Sequence, residues 1–187
     1  MNKAANITAW AFTIAAVAAG IWMWKNSRNS SLPSLVNNMD MDFRGRTDLS
    51  RGYRNNNPLN VRYSAWNAWK GKVVPNTDGA YEQFENMAYG YRAALYLLRK
   101  YIRQGYDTVA KIISRWAPEN ENNTQAYIDH VCEFANLHRD QVIDQNDKET
   151  LTAMARAMSI CENGITDETK AAGLPNMTII NAGWELL

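Results

Sequence analysis

Residues 87–104 read MAYGYRAALYLLRKYIRQ. Tyr91, Ala94, Leu95, Leu98, Tyr101 and Ile102 recur at the three- and four-residue spacing that gathers apolar side chains on one face of an α-helix. Gly105 is placed to end that helix, because glycine enters the left-handed conformation without a Cβ penalty. The same period continues downstream. Asp107 is positioned to cap a helix with Val109, Ile112, Ile113 and Trp116 on its apolar face, closed by Pro118. Thr124 is positioned to cap the next, with Tyr127, Ile128, Val131 and Phe134 facing inward. Asn146 with Glu149 three residues later has the form of a capping box opening a helix through Leu151, Met154, Ala155 and Met158. A short helix at 167–172 and a C-terminal tail follow. Upstream, residues 52–84 are rich in turn formers, and 60–63 and 80–84 alternate as a small hairpin would. The expected fold class is α+β, mainly helical, with a small irregular sheet.

The amino-terminal part has a different character. Residues 7–24 carry no charge, and as a helix they would extend roughly 27 Å, close to a hydrocarbon core. Trp10 lies near one end, and Trp22 and Trp24 precede Lys25 and Arg28 at the other, as at a membrane boundary. Ala16-Val17-Ala18 has the small-x-small form of a signal-peptidase site, but the apolar run continues past it, which favours an uncleaved anchor. Residues 26–50 are rich in Ser, Asn, Asp and Arg without a sustained apolar period. The expected organisation is a transmembrane anchor at 1–25, a flexible linker at 26–50 and a globular domain at 51–187. That makes a single-pass membrane protein with its domain outside the cytoplasm. Lys3 competes with Lys25 and Arg28 under the positive-inside rule, so orientation rests on the reading of the domain.

The chain has 187 residues, 46% of them hydrophobic, enough for one core and not for a two-domain enzyme. Net charge is +1, which does not point to a nucleic-acid partner. Seven basic residues (Arg44, Arg46, Arg51, Arg54, Arg62, Lys70, Lys72) face one acid, Asp48, between positions 44 and 72. That local excess suits either a polyanion such as teichoic acid or a solvated, self-paired surface. Cys132 and Cys161 form no CxxC, and with His130 and His138 they do not give zinc-site spacing; no metal and no cofactor is expected. A bridge between the two cysteines and two free thiols both remain open.

The densest polar stretch is Arg54-Asn55-Asn56-Asn57-Pro58-Leu59-Asn60-Val61-Arg62-Tyr63. Its amides either lock a loop or present donors and acceptors to sugar hydroxyls, which makes Arg54, Asn56, Asn57, Asn60 and Arg62 candidate substrate-binding residues. Trp69 is a candidate platform for a sugar ring, and Glu121 and Tyr127 belong to a second acidic, amide-rich cluster between two helices. Glycosidic chemistry needs a carboxylic acid against an apolar wall. Glu82 would share a strand face with Ala80 and Phe84, so it is the first candidate for general acid, with Glu85, Asp78 and Asp48 as alternatives. No GxSxG and no phosphate loop occurs.

Taken together, Arg51-Gly52-Tyr53-Arg54-Asn55-Asn56-Asn57-Pro58-Leu59-Asn60-Val61-Arg62, Trp69-Lys70-Gly71, Asp78-Gly79-Ala80-Tyr81-Glu82-Gln83-Phe84, Gly90-Tyr91-Arg92-Ala93 and Trp116-Ala117-Pro118 with Thr124 and Tyr127 resemble a family of phage and prophage virion structural proteins. That family has glycine where Leu59 stands. The order of features is also remotely similar to the glucosaminidase branch of the lysozyme-like fold. The resemblance implies a lysozyme-like domain acting on peptidoglycan, by glycosidase or lytic transglycosylase chemistry. In that branch the catalytic glutamate precedes the Asn-containing turn, and here no glutamate occurs before Glu82. The first expectation is a membrane-anchored, phage-type peptidoglycan hydrolase. The alternative is a non-catalytic virion protein that binds cell wall or supports assembly with other virion proteins.

Overall fold

Asparagine and threonine side chains open most of the helices of this domain. The computed structural model describes residues 41–120 and 123–187. Helix α1 (Arg51–Arg54) is a single turn leading into the asparagine-rich loop. Helix α2 (Met87–Arg103) starts at Asn86, whose side chain accepts from Tyr89 N, and ends at Gly105, which has a φ of 90°. Helix α3 (Val109–Trp116) is capped by Thr108 rather than Asp107; Asp107 instead pairs with Lys111 one turn on, at 2.8 Å. Helix α4 (Thr124–Ala135) is capped by Asn123, while Thr124 turns inward and donates to Ala117 O at 2.6 Å. Helix α5 (Lys148–Asn163) is capped by Asp147. Helix α6 (Asp167–Ala171) opens with a reciprocal Thr166–Thr169 capping box.

Helix α7 (Met177–Glu185) stands where a C-terminal tail is expected from the sequence. It packs against α2, and α4 packs against α5. Gly183 of α7 is required at that crossing, because a Cβ there would lie 2.7 Å from Tyr91 Cβ and 2.9 Å from Ala88 O. Tyr91, Leu95, Leu98, Ile112, Ile113, Ile128, Leu151 and Met154 are fully buried between these helices. Each such side chain contributes about 1.5–3 kcal/mol by leaving water.

The expected small sheet is not present: no strand occurs among the described residues. Segments 60–63 and 80–84 do run antiparallel, but they meet only at the isolated bridge Arg62–Tyr81, and 72 meets 84 at a second bridge. The reason lies in the side chains. Asn57 takes both the N–H and the C=O of Val61 and also Glu82 O; Asn56 takes Phe84 O; Asn76 takes Tyr81 O. Amide side chains thus occupy the backbone groups a ladder would use.

The membrane reading is also corrected. Among the described residues no helix is long and apolar enough to cross a membrane, so nothing described bears out the expected single-pass protein. The expected anchor at 7–24 lies outside the described residues. At the other end of the expected linker, Met41, Phe43 and Leu49 are buried, so the packed domain begins ahead of residue 51.

Gly90 of α2 sits directly beneath the asparagine loop, where an added Cβ would collide with Asn56 O. Backbone cannot step aside as a flexible side chain can. Gly90→Ala is expected to destabilise the domain by about 1–3 kcal/mol through overpacking, read as a lower urea midpoint at unchanged slope.

Candidate functional site

Three consecutive asparagines build the floor of the region and are consumed in doing so. Asn55 bridges Asp78 and Gln83. Asn56, with a φ of 50°, accepts from Phe43 N at 2.9 Å and donates to Asp42 and to Phe84 O. Asn57 spends its amide on Val61 and Glu82 backbone. Asn56 and Asn57 are fully buried and face protein. Asn60 is different: its Nδ2 reaches across the sequence to Glu162 Oε2, at 2.9 Å.

Glu162 lies in the last turn of α5, and Asn163 beside it fixes the arrangement. Asn163 Nδ2 donates to Pro58 O and to Ser159 O, and its Oδ1 accepts from Ser50. That clasp docks the asparagine loop on the end of α5. Glu162 Oε1 then accepts from Tyr127 OH at 2.9 Å and from Trp116 Nε1 at 3.3 Å. Burial first, and then the charge of Glu162, raise the Tyr127 phenol well above its usual value, so Tyr127 stays a donor at any ordinary pH.

Beside this carboxylate opens a cleft of about 380 Å³, within the range of small-ligand sites. Its walls include Arg62, Trp69, Tyr81, Tyr101 and Trp116, with Asn60 and Glu162 among its polar lining. A second groove of about 400 Å³ shares Asn67, Trp69 and Leu97 with the first and runs on along Trp66, Tyr96 and Lys100. Trp69 stands edge-on to Tyr96 with ring centroids 5.7 Å apart, and its buried Nε1 has no hydrogen-bond partner among the described residues. Trp66 is 94% exposed.

Of the substrate-binding candidates, Asn60, Arg62 and Trp69 line the cleft, and Tyr127 touches it through Glu162. Arg62 stacks over the Tyr81 ring at 5.1 Å. Arg54 is exposed on α1 and does not line the cleft. Glu121 lies outside the described residues. Sequence reasoning missed Glu162, whose partner Asn60 is 102 positions away; its own surroundings read only as the end of an amphipathic helix.

The acid candidates are placed elsewhere. Glu82 is fully buried, and its Oε1 accepts from Ser64 N at 3.0 Å and from Lys72 Nζ at 3.1 Å. Lys72 Nζ also donates to Ser64 O and Asn67 O and lies 4.7 Å from the Tyr63 ring centroid. The pair therefore pins the loop that carries the cleft residues Tyr63, Ser64, Asn67 and Trp69. Burial pushes the Asp78 carboxyl up, but hydrogen bonds from Arg51, Asn55 and the Tyr81 and Ala80 N–H groups outweigh it and hold the carboxyl well below the usual range. Asp48 is exposed and bonded to Arg46 at 2.6 Å. Glu85 is exposed beside the start of α2.

No protein-family model matches the chain. Over 120 residues it is 38% identical to Protein P5 of Pseudoalteromonas phage PM2, an alignment covering 63% of this chain and 73% of that protein.

Two outcomes follow from the charges. Lys72→Met strands the buried Glu82 carboxylate and should cost about 3–5 kcal/mol in urea unfolding, with much of the loss recovered when Glu82→Leu is added. Asp78 is ionised in the fold to lower pH than in the unfolded chain. Its contribution is therefore complete above pH ~4 and is lost as pH falls toward the depressed folded value. Asp78→Asn should lower the Tm at pH 7 and flatten its decline below pH ~4.

Proposed function

The chain belongs to the family of Protein P5 of Pseudoalteromonas phage PM2, and from that membership we propose that it is a structural protein of a phage virion, acting by recognition and not by bond cleavage. The observation that carries this reading is the 38% identity to a phage protein across 73% of that protein's length. Its partners are other proteins of the particle and, through the aromatic cleft, a polymer met at the host surface.

The hydrolytic alternative, with Glu82 as general acid, has less support. A general acid must come within hydrogen-bond reach of the leaving oxygen. Glu82 is sealed from solvent, and one of its oxygens is already shared by Lys72 and Ser64 N. Asp78, held ionised by Arg51 and Asn55, has no proton to give at neutral pH. Glu162, the carboxylate in the cleft, is surrounded by three donors and serves as an acceptor. The resemblance to the lysozyme-like fold would place a catalytic glutamate ahead of the asparagine turn, and no glutamate occurs there.

Gradient-purified particles, probed with an antibody against this chain, should carry it at a constant copy number relative to the major coat protein. A chain found only in the infected-cell lysate would sink the reading. Peptidoglycan zymography of the full chain should show no clearing; clearing abolished by Glu82→Gln would restore the hydrolase.

A further inference from the structure

We propose that the paired grooves around Trp69 form a binding site for an uncharged, hydroxyl-rich oligosaccharide of several rings, with the Glu162 carboxylate as its central hydrogen-bond acceptor. The proposal deepens the recognition reading above and rests on it.

Each carboxylate oxygen offers two lone-pair sites. Among the described residues, Glu162 Oε1 is filled by Trp116 and Tyr127, whereas Oε2 accepts only from Asn60. One acceptor position is left beside the cleft. Its direction is fixed by groups on α3, α4 and the asparagine loop, so a hydroxyl donor meets an acceptor that is already ordered. The walls complement this. Trp116 and Tyr101 lie edge to face with centroids 6.3 Å apart, and Trp69 continues the aromatic surface toward Tyr96. Flat apolar rings set beside fixed polar groups match a pyranose, which is apolar on its C–H faces and polar at its rim.

Other ligand chemistries fit less well. A phosphate-rich polymer would find Arg62, Arg92 and Lys100 along the grooves but would set its charge against Glu162, the ordered acceptor on the wall of the first. A peptide added as a β-strand needs an unpaired strand edge, and the described residues contain no strand. The two grooves share Asn67, Trp69 and Leu97, so the surface is elongated, as an oligomer requires. The exposed Trp66 stands at the far part of it, where a solvent-facing indole has no packing role.

The test is calorimetric titration of the full chain with chitotetraose, cellotetraose and maltotetraose, and with a neutral tetrapeptide as control. The acetamido sugar and the two plain glucans separate a wall-type glycan from a surface polysaccharide as the source. At least one tetrasaccharide should bind at millimolar concentration or below. Glu162→Gln, which keeps the shape and removes the charge, should weaken it tenfold or more. Trp66→Ala removes an exposed side chain and does not threaten the fold; it should weaken the tetrasaccharide several-fold and leave the corresponding disaccharide unchanged. Absence of saccharide binding by the wild type, unchanged affinity in Glu162→Gln with a native Tm, or preference for the peptide would each overturn the proposal. Particle incorporation is read separately, so a chain that is in the virion and binds no sugar defeats this inference alone, and one that binds sugar but is absent from particles defeats only the structural reading.

Discussion

The asparagine turn at 55–60 is held by side-chain amides bonded to backbone, and the remaining architecture depends on it. A tight turn buried against helices leaves N–H and C=O groups that water cannot reach, each costing about 1–3 kcal/mol if unmet. Asn55, Asn56 and Asn57 answer that problem with the groups of the 61, 82 and 84 backbone and with Asp42, Asp78 and Gln83. Asn56 and Asn60 also adopt positive φ, which asparagine tolerates better than most residues. Leu59, where the resembled family has glycine, is fully buried and adds to the core.

From this turn the other features follow as consequences. Because its backbone and that of the facing segment are satisfied by side chains, no sheet is needed or formed. Because Pro58 O is held by Asn163, the end of α5 is fixed against the loop, and Glu162 is thereby aimed at Asn60. Glu82 and Glu162 then have opposite fates. Glu82 is paired with a cation and closed off, so it stabilises the wall of the cleft. Among the described residues Glu162 is met only by neutral donors, and it keeps one side turned to the cleft, so it is available to a ligand.

The local patterns were legible to different degrees. The helical period of 87–104 and the glycine at 105 placed α2 within one residue, because both signals act over a few positions. Caps were shifted by one at α3, α4 and α5, where neighbouring residues such as Asp107 and Thr108 are both competent and geometry chooses between them. Helix α7 was hidden by its brevity and by Gly183, whose value appears only where Tyr91 and Ala88 cross it. The alternation at 80–84 was read as a strand face, but alternation reports only which side chains point inward. It did put Glu82 inside, and it could not reveal Lys72 as the reason.

By itself, the sequence determined the helical character of the domain, the polar turn at its centre and the aromatic stock of the cleft, since these follow from period, turn chemistry and composition. Tertiary structure alone decided which carboxylate faces the cleft. Asn60, Trp116, Tyr127 and Glu162 come from four separate places in the chain, and a hydrogen bond across 102 positions leaves no periodic trace in sequence. Only the docking of α5 on the asparagine loop, driven by burial and completed by the Asn163 clasp, brings them to one point.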